Sequence, residues 1–142
     1  WAIYGYSLAF TNGNDFIGTT SASIGGALFD WKSTLSIYYS LGDWTAFARW
    51  SYVPEICDGT FGIGPATCTG GGRGEMDPEA SYIDASVRWA VTDNFQVTGF
   101  IGNLFDEGTP QTPAGLFSQG NTDPQVYRVL GRTFSISAKL RF

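Results

Sequence analysis

The sequence predicts an all-β chain, a set of strands from a transmembrane antiparallel β-barrel whose remaining strands lie outside these 142 residues. Three observations carry that expectation. Apolar and polar residues alternate with period two in six separate runs, which is how a strand presents one greasy and one wet face. The connections between the runs are in turn long, short, long, short and long, the asymmetry of a barrel with short periplasmic turns and long outward loops. Tryptophans and tyrosines gather toward strand ends on the apolar side, where a membrane barrel carries its aromatic girdle.

The first run covers roughly residues 1–10, with Ala2, Tyr4, Tyr6, Leu8 and Phe10 on one face. Residues 11–27 are rich in Thr, Asn, Gly and Ser and read as a loop. The second run, about 28–39, sets Phe29, Trp31, Leu35 and Ile37 against Asp30, Lys32, Thr34 and Ser36. Ser40-Leu41-Gly42-Asp43 then supplies a tight hairpin turn. The third run, about 44–53, opposes Trp44, Ala46, Ala48, Trp50 and Tyr52 to Thr45, Arg49 and Ser51. A loop from Pro54 to about Glu79 holds both cysteines, Gly70-Gly71-Gly72 and Asp77-Pro78. The fourth run, about 81–91, turns Ile83, Ala85, Val87, Trp89 and Val91 away from Tyr82, Asp84, Ser86 and Arg88. Thr92-Asp93-Asn94 is a second tight turn into the fifth run, about 95–103, with Phe95, Val97 and Ile101 on one side. Residues 104–125 form a third long loop. The sixth run extends from about Val126 to the end, with Phe134, Ile136, Ala138, Leu140 and Phe142 opposite Ser135, Ser137, Lys139 and Arg141.

The apolar sets predict a lipid face, with Trp31, Trp44, Trp50, Tyr52, Trp89 and Phe95 in the girdle. The polar sets predict a lumen lined by Asp30, Lys32, Arg49, Asp84, Arg88, Lys139 and Arg141. Asp30 and Asp84 each have a cation near in sequence, Lys32 and Arg88, so ion pairing explains them more simply than paired-carboxylate catalysis. The same charges inside a soluble sandwich would each need a partner or several kcal/mol of compensation. Bacterial barrels begin at about eight strands. Six leave two unpaired edges, which lipid does not tolerate, so the missing strands come from a longer chain or from a partner subunit.

Composition narrows the chemistry. There is no histidine, which removes the usual general base, the Ser-His and Cys-His pairs and most zinc sites, and an enzyme is not expected. A net charge of −5 argues against binding a nucleic-acid backbone. Cys57 and Cys68 would form a small-loop disulfide in an oxidising compartment and remain thiols in a reducing one. Closing that loop would contribute roughly 2–3 kcal/mol of local order.

The 62–67 and Gly70-Gly71-Gly72-Arg73-Gly74 segments look superficially like phosphate loops. Neither leads from a strand into a helix, and no Gly-Lys-Ser/Thr follows. Asp58, Glu75, Asp77 and Glu79 could offer oxygen ligands to calcium, but their spacing fits no calcium loop and acidic loop tips are usually just solvated. No metal or cofactor is expected. If the loop contacts a transported ligand, Arg73, Glu75 and Asp77 are the candidates.

Asn103-Leu104-Phe105-Asp106, followed by Tyr127, Leu130-Gly131-Arg132-Thr133-Phe134 and the terminal Phe142, resembles the carboxy-terminal region of TonB-dependent outer-membrane receptors. Leu35–Trp44 and Ser81–Trp89 have similar strand phrasing, so the resemblance runs over essentially the whole chain. It implies a 22-stranded barrel with a plugged lumen, these runs being its last six strands, in the outer membrane of a Gram-negative bacterium. It also implies energy-coupled uptake of a ferric siderophore, cobalamin or glycan. The implied partners are the rest of the barrel and its plug, a TonB-type coupling protein engaging the N-terminal part, outer-membrane lipid and the barrel-assembly machinery. Phe134, Ile136, Leu140 and Phe142 resemble the signal that this machinery reads. Asn103 and Asp106 also have a plain structural role open to them, ending a strand and starting a turn. A passive porin-type barrel, a receptor-like barrel serving as a structural part of a surface assembly, and a soluble β-sandwich binding module are the alternatives.

Overall fold

The computed structural model describes residues 17–21, 26–58, 68, 75–111, 122–124 and 126–142. The first predicted run, residues 1–10, lies outside them. The described strands are β1 (Thr19–Ser21), β2 (Gly26–Leu28), β3 (Ser33–Leu41), β4 (Trp44–Val53), β5 (Ile56–Asp58), β6 (Glu75–Asp77), β7 (Ala80–Thr92), β8 (Phe95–Gly102) and β9 (Thr133–Leu140). They form two sheets, ordered β2-β1-β5-β6 and β3-β4-β7-β8-β9. Among the described residues no helix is long and apolar enough to cross a membrane, a statement that does not bear on crossing by strands. The chain divides into two units, one comprising Ser33–Tyr52, Ser81–Gly108 and Leu130–Phe142.

That unit is the five-stranded sheet. Leu41 pairs with Trp44 across a two-residue turn, and Gly42 holds a φ of 55° at its first position. A side chain there would meet the steric penalty that a primed hairpin turn avoids by using glycine. Thr92 pairs with Phe95 across Asp93-Asn94, where no positive φ occurs, and a register shift between Ala90 and Thr92 precedes the turn. The bulge adds the local twist that the turn itself does not provide. β8 and β9 pair without interruption from Phe95–Leu140 to Gly102–Thr133. β4 and β7 are neighbours. Their contacts run in opposite senses, Asp43 to Ala90, Thr45 to Arg88 and Arg49 to Asp84, so this pair is antiparallel too.

Register then fixes two faces. Leu35–Trp50, Ile37–Ala48, Leu41–Trp44, Trp89–Val97, Val97–Ala138 and Gly99–Ile136 pair on the apolar face. Ser36–Arg49, Tyr38–Phe47, Arg88–Thr98 and Gln96–Lys139 pair on the other. Both two-residue turns and the end of β9 lie at one end of the sheet, where the Arg141 N–H donates to the Asn94 carbonyl at 2.9 Å. All longer connections leave from the opposite end, at Ser33, Val53, Ala80, Gly102 and Thr133. Among the described residues β3 and β9 are the edges, and the described strands do not close the sheet on itself.

The apolar face is bare. Ile136 is 84% exposed, and Leu35, Ile37, Tyr39, Leu41, Val87, Phe134 and Leu140 are exposed as well. Trp44 stacks on Trp89 at the short-turn end, centroids 5.0 Å apart and rings 2° from parallel. Trp50 lies against Tyr52 at the other end, 5.8 Å between centroids, and its indole N–H donates to Ser81 Oγ at 2.7 Å. Small and aliphatic residues occupy the stretch between, including Ala48, Ala85, Val87, Gly99 and Ile136. Aromatic pairs thus bracket an aliphatic middle.

The second unit corrects the expectation that the long connections are plain loops. β1 pairs antiparallel with β2, parallel with β5 (Thr19–Cys57), and β5 pairs antiparallel with β6 (Ile56–Asp77). Gly18, at a φ of 74°, donates to the Leu28 carbonyl and accepts from Cys57 N–H. A Cβ there would come within 2.9 Å of Asp30 Oδ1, so glycine is required twice over. The Tyr127 hydroxyl donates to the Pro78 carbonyl, and Thr109 Oγ1 donates to the Arg128 carbonyl at 2.8 Å. Val53, Ile56, Cys57, Ala80, Val126 and Tyr127 are buried in this unit. All three long connections therefore contribute to one packed body.

Two strand boundaries also move. The second run begins only at Ser33, because Leu28 pairs in β2. Asp30 and Lys32 consequently lie outside the five-stranded sheet and do not join its polar face. Lys32 instead places Nζ 4.0 Å from the Phe29 ring centroid, and loss of hydration pushes its pKa below the ordinary 10.5. Trp31 likewise precedes β3. The sixth run begins at Thr133, since Val126 and Tyr127 are buried in the other unit.

Candidate functional site: the polar face of the sheet

Strands β3, β4, β7, β8 and β9 together carry Arg49, Asp84, Arg88 and Lys139 as their only charged residues, with Arg141 just beyond β9. The sheet is cationic although the chain has 13 acids to 8 bases. The period of two puts all four strand charges on the polar face.

Asp84 is the organising residue of the end opposite the short turns. Its side chain is 1% exposed. Arg49 donates to Asp84 Oδ2 from Nη2 at 2.8 Å and from Nε at 3.2 Å, while the Asn103 N–H donates to Oδ1 at 3.1 Å. Both oxygens are satisfied, which a buried carboxylate demands. The expected pairing of Asp84 with Arg88 is corrected here. Four residues along a strand span about 13 Å, whereas antiparallel register brings Arg49 directly alongside.

Asn103 and Asp106 hold the strand exit in place, and both adopt left-handed backbone, φ 53° and 58°. Asn103 is buried and clamps Glu107, accepting from its N–H and donating to its carbonyl, both at 2.9 Å. Leu104 N–H donates to the Ile83 carbonyl, and Asp106 Oδ1 accepts from Arg132 N–H at 2.8 Å. The Asn-Leu-Phe-Asp segment is thus a knot tying the start of β7 and the end of β8 to the segment just before β9. Asx residues favour this because their short polar side chains tolerate left-handed backbone and bond locally.

Farther along the face, Arg88 Nη2 donates to Thr45 Oγ1 at 3.1 Å. Tyr38 and Phe47 meet there, centroids 4.6 Å apart. These aromatics on the polar side were not expected from alternation alone. The hairpin register could have found them: residues equidistant from Gly42-Asp43 must pair. At the short-turn end, Lys139 and Arg141 border a cavity of about 450 Å³ together with Asp43, Asp93 and Asn94.

The loop candidates fare differently. Arg73 and the glycine-rich segments lie outside the described residues. Glu75 opens β6 opposite Asp58. Asp77 is 1% exposed, so its carboxylate is withdrawn into the loop unit rather than offered at a loop tip. Cys57 and Cys68 are joined in a disulfide, with Cα atoms 5.8 Å apart. Phe134, Ile136 and Leu140 lie on the apolar face of β9, and Phe142 follows them, fully exposed.

No family model matches the chain, and no curated protein does. Among solved structures it is similar to one described as copper transporter OprC, with a TM-score of 0.51 and 20% identity over 78% of this chain. The match spans only 17% of that protein's chain. What the two share is a fold: all-β, with antiparallel strands dominant.

Proposed function

We propose that the chain is a wall segment of an outer-membrane β-barrel working in transport, and more narrowly the carboxy-terminal wall of an energy-coupled nutrient receptor. The observation that carries this is the bare apolar face bracketed by aromatic pairs, on a sheet whose short turns and last strand share one end. Such a face in water would be a large exposed apolar patch. In a bilayer it is a lipid surface with its girdles. The polar face is then lumen wall, and the end of the sheet from which the long connections leave is the outward one. The open edges β3 and β9 take their partners from the remainder of the barrel, and the proposed partners include a plug and a TonB-type coupling protein. Copper is the neighbour's cargo by its name. For this chain a ferric siderophore, cobalamin or glycan is the proposed class, as the resemblance of its carboxy-terminal motifs implies.

The test is membrane fractionation of the native host followed by intact mass of the detergent-extracted protein, with peptides mapped upstream of Trp1. A species several-fold heavier than 15.4 kDa in the outer membrane supports a single-chain receptor. A 15.4 kDa species would overturn it and leave a barrel shared between chains; a detergent-free soluble protein would overturn both. The assembly role of the last strand makes a separate prediction. Deleting Phe142 should lower insertion into the outer membrane several-fold without altering synthesis, read as the folded fraction per total protein. Unchanged insertion would remove that role.

A further inference from the structure

We propose that the polar face carries a binding site for a small anionic, ring-bearing solute, centred on the Arg88 guanidinium. Its geometry is independent of the barrel, but its meaning as part of a transport path rests on the function proposed above.

The two arginines of this face are treated differently. Arg49 has a buried carboxylate, and Asp84 is fully used by Arg49 and the Asn103 N–H. Arg88 has no carboxylate partner among the described residues; it donates instead to the neutral Thr45 hydroxyl at 3.1 Å. A guanidinium carries five N–H donors in a planar fork, so one hydroxyl leaves most of that capacity unused. An arginine kept only to hold strands together would be expected to resemble Arg49.

The surroundings favour a ligand of defined chemistry. Arg88 borders a cavity of about 330 Å³ whose other walls are Tyr38, Thr45, Phe47, Ser86 and Thr98. That volume is within the range of small-molecule sites. The lining contains four hydroxyls, two aromatic rings and one cation, and no carboxylate opposes an incoming anion. The Tyr38 and Phe47 rings are inclined at 40° and form an angled apolar wall. A carboxylate or phosphate would meet the fork in paired, charge-assisted hydrogen bonds, while a flat ring attached to it would lie against the aromatics. The cationic excess of the sheet adds a field of the same sign. The anionic group could belong to a free solute or to a side chain of another part of the polypeptide; the proposal commits to the solute.

The probes are benzoate, benzamide and acetate, titrated against the intact detergent-solubilised protein by saturation-transfer NMR and calorimetry. Benzoate should bind, benzamide should bind about tenfold more weakly for want of the charge, and acetate more weakly for want of the ring. Arg88→Gln should weaken benzoate about tenfold, Arg88→Lys less, and Arg132→Gln not at all. The lysine variant keeps the test decisive should the glutamine variant fail to fold. Equal binding of benzoate and benzamide, or an unchanged affinity in Arg88→Gln, overturns the site. So does absent benzoate binding to the unaltered protein, the result expected if a polypeptide carboxylate already holds Arg88. Arg88-dependent binding in a protein absent from the outer membrane would keep the site and sink the barrel. An outer-membrane protein without such binding would do the reverse.

Discussion

Asp84→Ala should destabilise the folded sheet by about 2–4 kcal/mol. The buried carboxylate ties three elements at once: β4 through Arg49, β7 through its own backbone, and the exit of β8 through the Asn103 N–H. Its removal leaves Asn103 N–H without its acceptor inside a buried turn, a loss of about 1–3 kcal/mol. The ion pair adds less than a fully buried one would, because the Arg49 side chain is 43% exposed and can recover water. Asp84→Asn should be milder, since an amide oxygen can still accept from Asn103 while the charge is lost. Arg49→Ala should be severe for the opposite reason, leaving a buried anion without its cation. Urea unfolding in detergent reads these as shifts in midpoint at constant slope. An Asp84→Ala midpoint shift worth less than about 0.5 kcal/mol, the range of ordinary surface changes, would mean the cluster is not formed in the native state.

That cluster shows where sequence reading stops. The alternation in residues 44–53, 81–91, 95–103 and 134–142 is long enough to reveal a period of two, and each run became a strand with the expected sides. Gly42-Asp43 and Asp93-Asn94 fixed the two hairpins because turn chemistry is local. Asp84's partner was not legible: charge proximity in sequence suggested Arg88, but strand geometry separates those residues and only the register of β4 against β7 brings in Arg49. β1, β2, β5 and β6 were invisible for a related reason. Each has three residues, too few to show a period, and the parallel pairing of Thr19 with Cys57 joins segments far apart in the chain. Leu28, Val126 and Tyr127 fell within the bounds expected for the second and sixth runs, yet Leu28 pairs in β2 and the other two are buried in the loop unit. Periodicity identifies a face, and long-range packing decides which residues use it.

Ile136→Arg and Ser137→Arg should separate by about 2–4 kcal/mol despite being adjacent, because they point to opposite solvents. Ile136 lies midway along β9 opposite Gly99, 84% exposed, in the aliphatic stretch between the aromatic pairs. An arginine at the lipid midplane costs about 2–4 kcal/mol in a strand-built membrane protein. Water would impose almost none of this, since surface substitutions are usually within about 0.5 kcal/mol. Ser137 pairs with Thr98 on the face that already holds Arg88 and Lys139. An arginine there meets a wet wall and loses only a little to like-charge repulsion. Folding into lipid vesicles, followed by the gel shift between folded and unfolded forms, should show Ile136→Arg strongly depleted in the folded band and Ser137→Arg close to the unaltered protein. Equal yields for the two would mean that both faces see water, and the barrel would go with them. A reversed order would put lipid on the polar face, against the half-exposed Arg49 and against Arg88, which has no carboxylate partner among the described residues. The comparison therefore tests the sidedness of β9 directly, without knowledge of the cargo or of the strands that complete the wall.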